Sequence, residues 1–329
     1  MNIQGKSYHC HLSEIKITMD KHLLQIGAQA LRKAALNEDS KAYILANPIL
    51  FQLFKKAADR YIGGETLEET IVKVKALNNL KASIEFMGES TRTEQESNES
   101  TKEFIHICEQ IRLQHLNATV SLDLSHIGLA VSKDLCLNNL NSICNEASKS
   151  NIEIIISAEG TERTDAILDT YKKAIKNYDH LAITLQAYLY RTKDDFAEIK
   201  KEIGRIRIVK GAFETANGLS MPRGEKLDDV YLDYIDQLLA QNHKCSIATH
   251  DTKIQANAQL LIQKHKPAKE VYEFESLFGI CNDQLFLLKD QGYQTKLYFV
   301  YGKEWYLYLC NRIAEYPMSI FQALNDIVQ

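Results

Sequence analysis

Charged and hydroxyl side chains recur in this chain inside or just after short apolar runs: Glu89, then Asp123 with Ser125 and His126, then Ser157 and Glu159. The series goes on through Gln186, Tyr188 and Arg191, then Arg207 and Lys210, then Thr249, His250 and Asp251, then Glu273 and Glu275, and finally Tyr298 and Tyr301. Polar groups in such places cost free energy unless paired. So many at corresponding ends favour a site, while the competing reading of any one is a group satisfied by its neighbours. Lys210, in Arg207-Ile208-Val209-Lys210-Gly211-Ala212, admits two chemistries. Burial could make it a Schiff-base nucleophile, or it could be a fixed cation for a phosphate-bearing ligand, with Gly211 letting the backbone come close. Thr249-His250-Asp251 is weak evidence for a metal, because adjacent strand residues face opposite ways. His9-Cys10-His11 lacks a third ligand nearby, so no metal site is expected. Near the end, Tyr308, Arg312 and Glu315 stand at i, i+4 and i+7, on one face of a helix.

The elements that must position these groups follow from periodicity. From Asp20 to about Leu80, Leu23, Leu24, Ile26, Leu31, Ile44, Leu45, Ile49, Leu50, Leu53 and Phe54 recur at helical spacing. Gly63-Gly64 breaks the run, and Thr66-Leu67-Glu68-Glu69 reads as a capping box. Apolar runs then come at Ala82–Phe86, Ala118–Leu124, Ile152–Ser157, Leu181–Gln186, Arg205–Lys210, Cys245–Thr249, Val271–Glu275 and Lys296–Val300. Each is separated from the next by enough chain for a helix. Eight such alternations predict an α/β fold, a closed (βα)8 TIM-type barrel whose strand ends carry the chemistry. An open dinucleotide-binding sheet would want a glycine fingerprint after its first strand, and neither GxGxxG nor GxxxxGK[ST] occurs. The expected organisation is an N-terminal helical segment over 1–80, a barrel over 81–329, and a last helix over the barrel mouth.

Composition narrows the classes. The 329 residues are 45% hydrophobic and 25% charged with a formal charge of -4, and no basic tract argues for nucleic acid. Seven scattered cysteines without a CxxC pair suggest reduced thiols in a cytoplasmic protein. Met1 to Ser13 has no apolar core for a signal peptide, and no apolar run is long enough to span a bilayer.

Several segments, in order, resemble the proline dehydrogenase family. They are Phe86-Met87-Gly88-Glu89, Leu185 to Arg191, Arg207 to Ala212, Ala248-Thr249-His250-Asp251, Glu273 to Gly279, and Tyr298 to Glu315. The resemblance runs from about Asn47 to Pro317. It implies a distorted barrel holding FAD noncovalently, with Gln186, Arg207, Lys210, Thr249, His250 and Glu275 as cofactor contacts. In that reading Arg207 lies near flavin N5, Lys210 binds polar groups of the cofactor, and Thr249 and His250 hold its pyrophosphate and adenosine portion. Tyr298 and Tyr308 border the substrate, Arg312 pairs with its carboxylate, and Glu315 orients the helix. Arg207, Tyr298, Arg312 and Glu315 are the implied catalytic set. The implied reaction moves a hydride from a carbon beside the ring nitrogen of proline or a related cyclic amine to the flavin, leaving an imine. Electrons would pass on to a quinone or dioxygen, with peripheral membrane contact as a further implied association.

The departures fall on the substrate side. Asp123 stands where the family has a lysine, Asn311 where it has the first of two arginines, and Ser157 where it has an aspartate. Glu275 replaces a glutamine and Phe213 a tyrosine. With Asp123, Asn311 and Arg312 around the substrate, formal charge falls from +3 to 0, which weakens carboxylate binding. Loss of an arginine at 311 also removes the expected partner of Glu89. A substrate other than proline, such as a modified proline or a more cationic amine, is therefore a competing expectation. Two further readings are a Schiff-base lyase built on Lys210 and a family member that binds flavin without catalysis.

Overall fold

The computed structural model of the protein describes residues 21–77, 80–88, 90–315 and 318–328. The expectations for Met1 to Ser13, for His9-Cys10-His11 and for Glu89 lie outside the described residues. Eight parallel strands close into a barrel in sequence order: β1 (Lys81–Phe86), β2 (Ala118–Leu122), β3 (Ile154–Ile156), β4 (Leu181–Gln186), β5 (Ile206–Val209), β6 (Cys245–Ala248), β7 (Tyr272–Leu277) and β8 (Thr295–Tyr301). Pairing of β1 with β8, from Lys81 opposite Lys296 to Phe86 opposite Tyr301, seals it. The helices are α1 (Lys21–Ala35), α2 (Glu38–Ala46), α3 (Pro48–Ala58), α4 (Leu67–Lys75), α5 (Glu94–Leu113), α6 (Lys133–Ser148) and α7 (Thr164–Ala174). They continue as α8 (Thr192–Ile199), α9 (Glu225–Ala240), α10 (Thr252–His265), α11 (Asn282–Asp290), α12 (Trp305–Glu315) and α13 (Ser319–Val328). No helix among the described residues is long and apolar enough to cross a membrane.

Contacts divide the chain into two units at places other than residue 80. Ala58–Trp305 carries the barrel and α4, while the described residues up to Ala57 group with those from Tyr306 onward. In the smaller unit the Phe54 and Tyr306 rings pack with centroids 6.1 Å apart.

Every predicted strand exists, and several are shorter than their apolar runs. β2 stops at Leu122, so Asp123 leads into a 3-10 turn over Leu124–Ile127 rather than lying in the strand. β3 keeps only Ile154–Ile156, and Lys210 and Thr249 each fall just past a strand. The pairing explains the trimming, since β3 aligns only these residues with Val120–Leu122 on one side and Leu181–Ile183 on the other.

The strands carry an alternation that a reading as uniformly apolar runs passes over. Ala82, Ile84, Val120, Leu122, Ile154, Ile156, Leu181, Ile183, Ile206, Ile208, Phe274, Leu297 and Phe299 join one core with helix residues such as Phe104, Ile143, Tyr171 and Tyr231. Full burial of each aliphatic or aromatic side chain is worth about 1.5–3 kcal/mol, so this outer layer carries most of the stabilisation. The alternate residues point inward and most of them are polar, with Ile155 and Ala182 among the exceptions; Ser83 and Ser121 share a hydrogen bond of 2.9 Å across β1 and β2.

Local signals fix the helix starts. Thr93 and Glu96 form a complete capping box at α5. At α4 the expected box is half made. Thr66 caps Glu69 N, but the Glu69 carboxylate accepts from Glu65 N at 2.7 Å instead of Thr66 N. Gly63-Gly64 has a job beyond breaking a helix: Gly63 N donates to Val300 O at 2.7 Å and Gly64 bridges to Tyr301, tying the entry to α4 onto β8.

Candidate active site

The barrel interior is a stack of ion pairs. Lys296, wholly buried on β8, lies 2.6 Å from Glu273 Oε1 and 3.1 Å from Glu275 Oε2. Glu273 also receives Lys81 at 2.9 Å and faces Arg205 at 3.6 Å, while Arg205 donates to Glu153 at 3.0 Å. Burial penalises the Glu273 carboxylate, yet Lys296, Arg205 and Lys81 outweigh it and hold its pKa well below the ordinary range. Glu273 is therefore part of the barrel's internal packing and not the strand-end site group the sequence suggested.

Above this layer lies Arg207. Its guanidinium donates to Thr184 Oγ1 at 2.8 Å, Ser121 Oγ at 3.0 Å, Ser157 Oγ at 3.1 Å and Glu275 Oε1 at 3.1 Å. Three strands and the residue just past β3 thus hold one planar cation, a use suited to arginine's fixed fork of donors. Burial opposes its charge, but Glu275 and neighbouring acids more than restore it, so its pKa stays raised. The Tyr298 ring lies 5.3 Å from the guanidinium, and the Tyr298 hydroxyl donates to Glu85. Burial, with Glu85 next, pushes the phenol pKa well above its usual value.

Glu85 is a member of this cluster that the sequence reading passed over. It sits on β1 under both Tyr298 and Ser157, accepting from Ser157 Oγ at 3.1 Å. The signal was present in Lys81-Ala82-Ser83-Ile84-Glu85-Phe86, whose period of two marks Ser83 and Glu85 as one face. Glu159 accepts from Ser125 N at 3.0 Å and pairs with Arg163 at 2.9 Å, and Gln186 Nε2 donates to the Glu159 carbonyl at 3.1 Å.

At the ends of β5 and β6, Lys210 pairs with Asp228 and Asp251, both at 2.7 Å. Burial disfavours the Asp251 carboxylate, but Lys210 and two backbone amides hold its pKa below the ordinary value. Asp251 also caps α10. Thr249 Oγ1 accepts from Asp251 N at 3.1 Å, and His250 Nε2 accepts from Leu277 N at 2.9 Å, which puts the ring proton on Nδ1. Gly211, at φ +109°, makes the turn that follows Lys210, and a Cβ there would meet the Tyr188 ring at 2.1 Å.

Other expected strand-end groups are used elsewhere. His126 turns into the wall between Phe86 and Phe104, with ring centroids at 5.1 and 5.6 Å, and burial lowers its pKa to about 4. Arg191 is committed to Asp165 at 2.6 Å and Asp195 at 2.7 Å. Tyr188 donates to the Phe213 carbonyl at 3.0 Å, and Tyr301 to Glu103 on α5. Tyr308, Asn311, Arg312 and Glu315 lie on α12, in the smaller unit. There Arg312 stacks 5.1 Å over Tyr308 and pairs with Glu315, which agrees with their expected shared face.

A family model, described as proline dehydrogenase, matches residues 67–316. The chain belongs to the proline dehydrogenase family. Proline dehydrogenase 2 of Bacillus subtilis is 33% identical over 275 residues, which cover 83% of this chain and 91% of that protein. Proline dehydrogenase of Deinococcus radiodurans is 28% identical over 300 residues, 88% of this chain and 96% of that one. Among solved structures, proline utilization A from Bdellovibrio bacteriovorus superposes with a TM-score of 0.77 at 18% identity. That alignment covers 89% of this chain but only 37% of the longer protein, and it shows the shared barrel fold. Membership makes this protein an oxidoreductase of the proline dehydrogenase type. Proline dehydrogenases are in general flavoenzymes.

The donor set at the strand ends fits such a cofactor. Gln186, Arg207, Lys210, Thr249 and His250 follow one another on or just past β4, β5 and β6, offering amide, guanidinium, ammonium, hydroxyl and imidazole groups. These match the carbonyl, phosphate and hydroxyl groups of a flavin dinucleotide. Glu275 is placed to act through Arg207 and Lys296, both of which it pairs with.

Proposed function

We propose that this protein oxidises the C–N bond of proline or a related cyclic amine to an imine, with FAD held at the carboxyl ends of β4, β5 and β6. The observation that carries the reading is the row of donors on those consecutive strands in a barrel of this family. FAD bound there supplies a two-electron acceptor for the hydride leaving the carbon beside the ring nitrogen. Gln186, Lys210, Thr249 and His250 hold the cofactor. Arg207, pinned by four partners, fixes a positive charge on the barrel axis and needs no rearrangement to keep it there. Tyr298, anchored by Glu85, walls the space beside Arg207. Substrate recognition by Tyr308, Asn311 and Arg312 is carried over from the family resemblance alone, and Glu315 holds Arg312 by an ion pair on α12. A quinone or dioxygen takes the electrons onward.

The two ion pairs of Lys210 support its role as a fixed cation and count against a lyase. A side chain held between two carboxylates at 2.7 Å is positioned as a fixed cation and not as a free nucleophile. The test is anaerobic mixing of the FAD-reconstituted protein with L-proline and a set of cyclic amines, followed in the visible flavin band. Bleaching by any member supports the reading. A flavin that stays oxidised with all of them overturns it.

A further inference from the structure

Two carboxylates inside the barrel mouth have no ion-pair partner among the described residues. Glu85 is 8% exposed, and its hydrogen bonds come from the neutral hydroxyls of Tyr298 and Ser157. Asp123, half-buried, makes no side-chain hydrogen bond or ion pair and does not cap the turn that it begins. The pairing of Ile84 with Val120 sets Glu85 beside Ser121, and Asp123 lies two residues beyond Ser121, on the same inward face. The third acid there, Glu159, is satisfied by Arg163. Arg207 attracts Glu85 and Asp123 through space, but four of its five N–H groups go to three hydroxyls and Glu275, and it makes no hydrogen bond to either acid. A buried charge without a partner is costly. Burial, then Glu85 and Glu159, pushes the Asp123 pKa well above the ordinary range.

We propose that Glu85 and Asp123 form a cation corner that receives an ammonium group of the substrate, so that the site selects a cyclic amine for its positive charge and not for a carboxylate. This rests on the reading of the barrel mouth as the place of cyclic-amine oxidation. Asp123 is the specificity-determining residue, since of the acids here it is the one with no hydrogen-bond or ion-pair partner among the described residues. Glu85 supplies the second negative charge while holding Tyr298 in place. The substrate class is a pyrrolidine-type amine that is cationic as a whole, or that carries a further ammonium on the ring.

The test uses three probes of one ring size on the FAD-reconstituted protein: pyrrolidine as the cation, L-proline as the zwitterion, and cyclopentanecarboxylate as the anion. Titration calorimetry should give pyrrolidine a Kd at least about tenfold below that of cyclopentanecarboxylate, because charge-assisted contacts are the strong ones. Asp123→Asn should remove most of that preference with circular dichroism and FAD content unchanged. Glu85→Gln, which keeps an acceptor for Tyr298 and Ser157, should reduce it in the same direction. Equal or tighter binding of cyclopentanecarboxylate to the unaltered protein overturns the proposal. So does an Asp123→Asn variant whose preference is unchanged. Flavin bleaching separates the two ideas. Bleaching by L-proline with no cation preference leaves amine oxidation standing and removes the corner. Asp123-dependent binding of pyrrolidine with no bleaching by any cyclic amine supports the corner and removes the oxidation.

Discussion

Replacing Lys296 by Met should destabilise the barrel by about 3 kcal/mol, the low end of the cost of breaking a buried ion pair. The figure follows from what is left behind. Met has nearly the same length and is apolar, so the loss is charge and not volume. Glu273 keeps Lys81 at 2.9 Å and Arg205 at 3.6 Å, and Glu275 keeps Arg207 at 3.1 Å, so neither acid is abandoned. At roughly 2–4 °C per kcal/mol for a domain of this size, the midpoint should fall by about 6–12 °C. Urea unfolding at pH 7, read by fluorescence, is the assay. Trp305 is the single tryptophan and is buried, with its indole N–H donating to Glu65 at 2.8 Å, so it reports on the barrel. The acid side gives a sharper check. The Glu273 pKa is depressed in the folded state, so its contribution is complete above the unfolded carboxylate value of roughly 4.3 and is lost as pH falls through the folded one. Without Lys296 that depression is smaller, and protonation relieves the variant. The deficit between variant and parent should therefore shrink as pH falls below about 5. A loss under about 1 kcal/mol at pH 7, or a deficit that does not change with pH, would refute the account of Lys296 as the neutralising group of the barrel interior.

Other outcomes follow from single sites. His126, lowered to about 4 by burial, is neutral when folded, so stability falls as pH drops from about 6.5 toward 4. That is worth up to about 3 kcal/mol, and the slope should flatten in His126→Phe when unfolding is measured at several pH values. Gly211→Ala meets both a positive φ and the Tyr188 ring at 2.1 Å, so the turn after Lys210 should shift and FAD retention on gel filtration should drop. Lys210→Met should weaken FAD binding by about tenfold or more, measured by flavin fluorescence titration, and should lose less if FAD is supplied in excess. Arg207→Lys keeps the charge but cannot satisfy four acceptors. Its rate of flavin reduction should fall steeply at saturating substrate.

Much of the architecture was legible because it rests on local chemistry. Apolar runs such as Leu181–Gln186 and Lys296–Val300 announce strands, Gly63-Gly64 marks the break before α4, and Gly211 at φ +109° makes a turn that backbone sterics favour. The strand-end positions of Lys210 and Thr249 followed from the same rhythm, whereas Arg207 lies within β5 and not at its end. Where β2 ends was not legible, since Leu122 and Leu124 are equally apolar. The strand stops because β3 offers partners only as far as Ile156. His126 looked like chemistry and is packing, because only the fold reveals that Phe86 and Phe104 close around it.

By itself the sequence determined that eight strand–helix units would close a barrel and which strand ends would carry polar groups, since both depend on periods of two and 3.6 residues along the chain. Tertiary structure alone decided what those polar groups are for. Glu273 is neutralised by Lys81, 192 residues away, and by Lys296, 23 residues away, while Asp123 receives no ion-pair partner among the described residues. A side chain's charge state depends on which distant groups the closed barrel brings within a few ångströms, and that distance is not written in the order of residues.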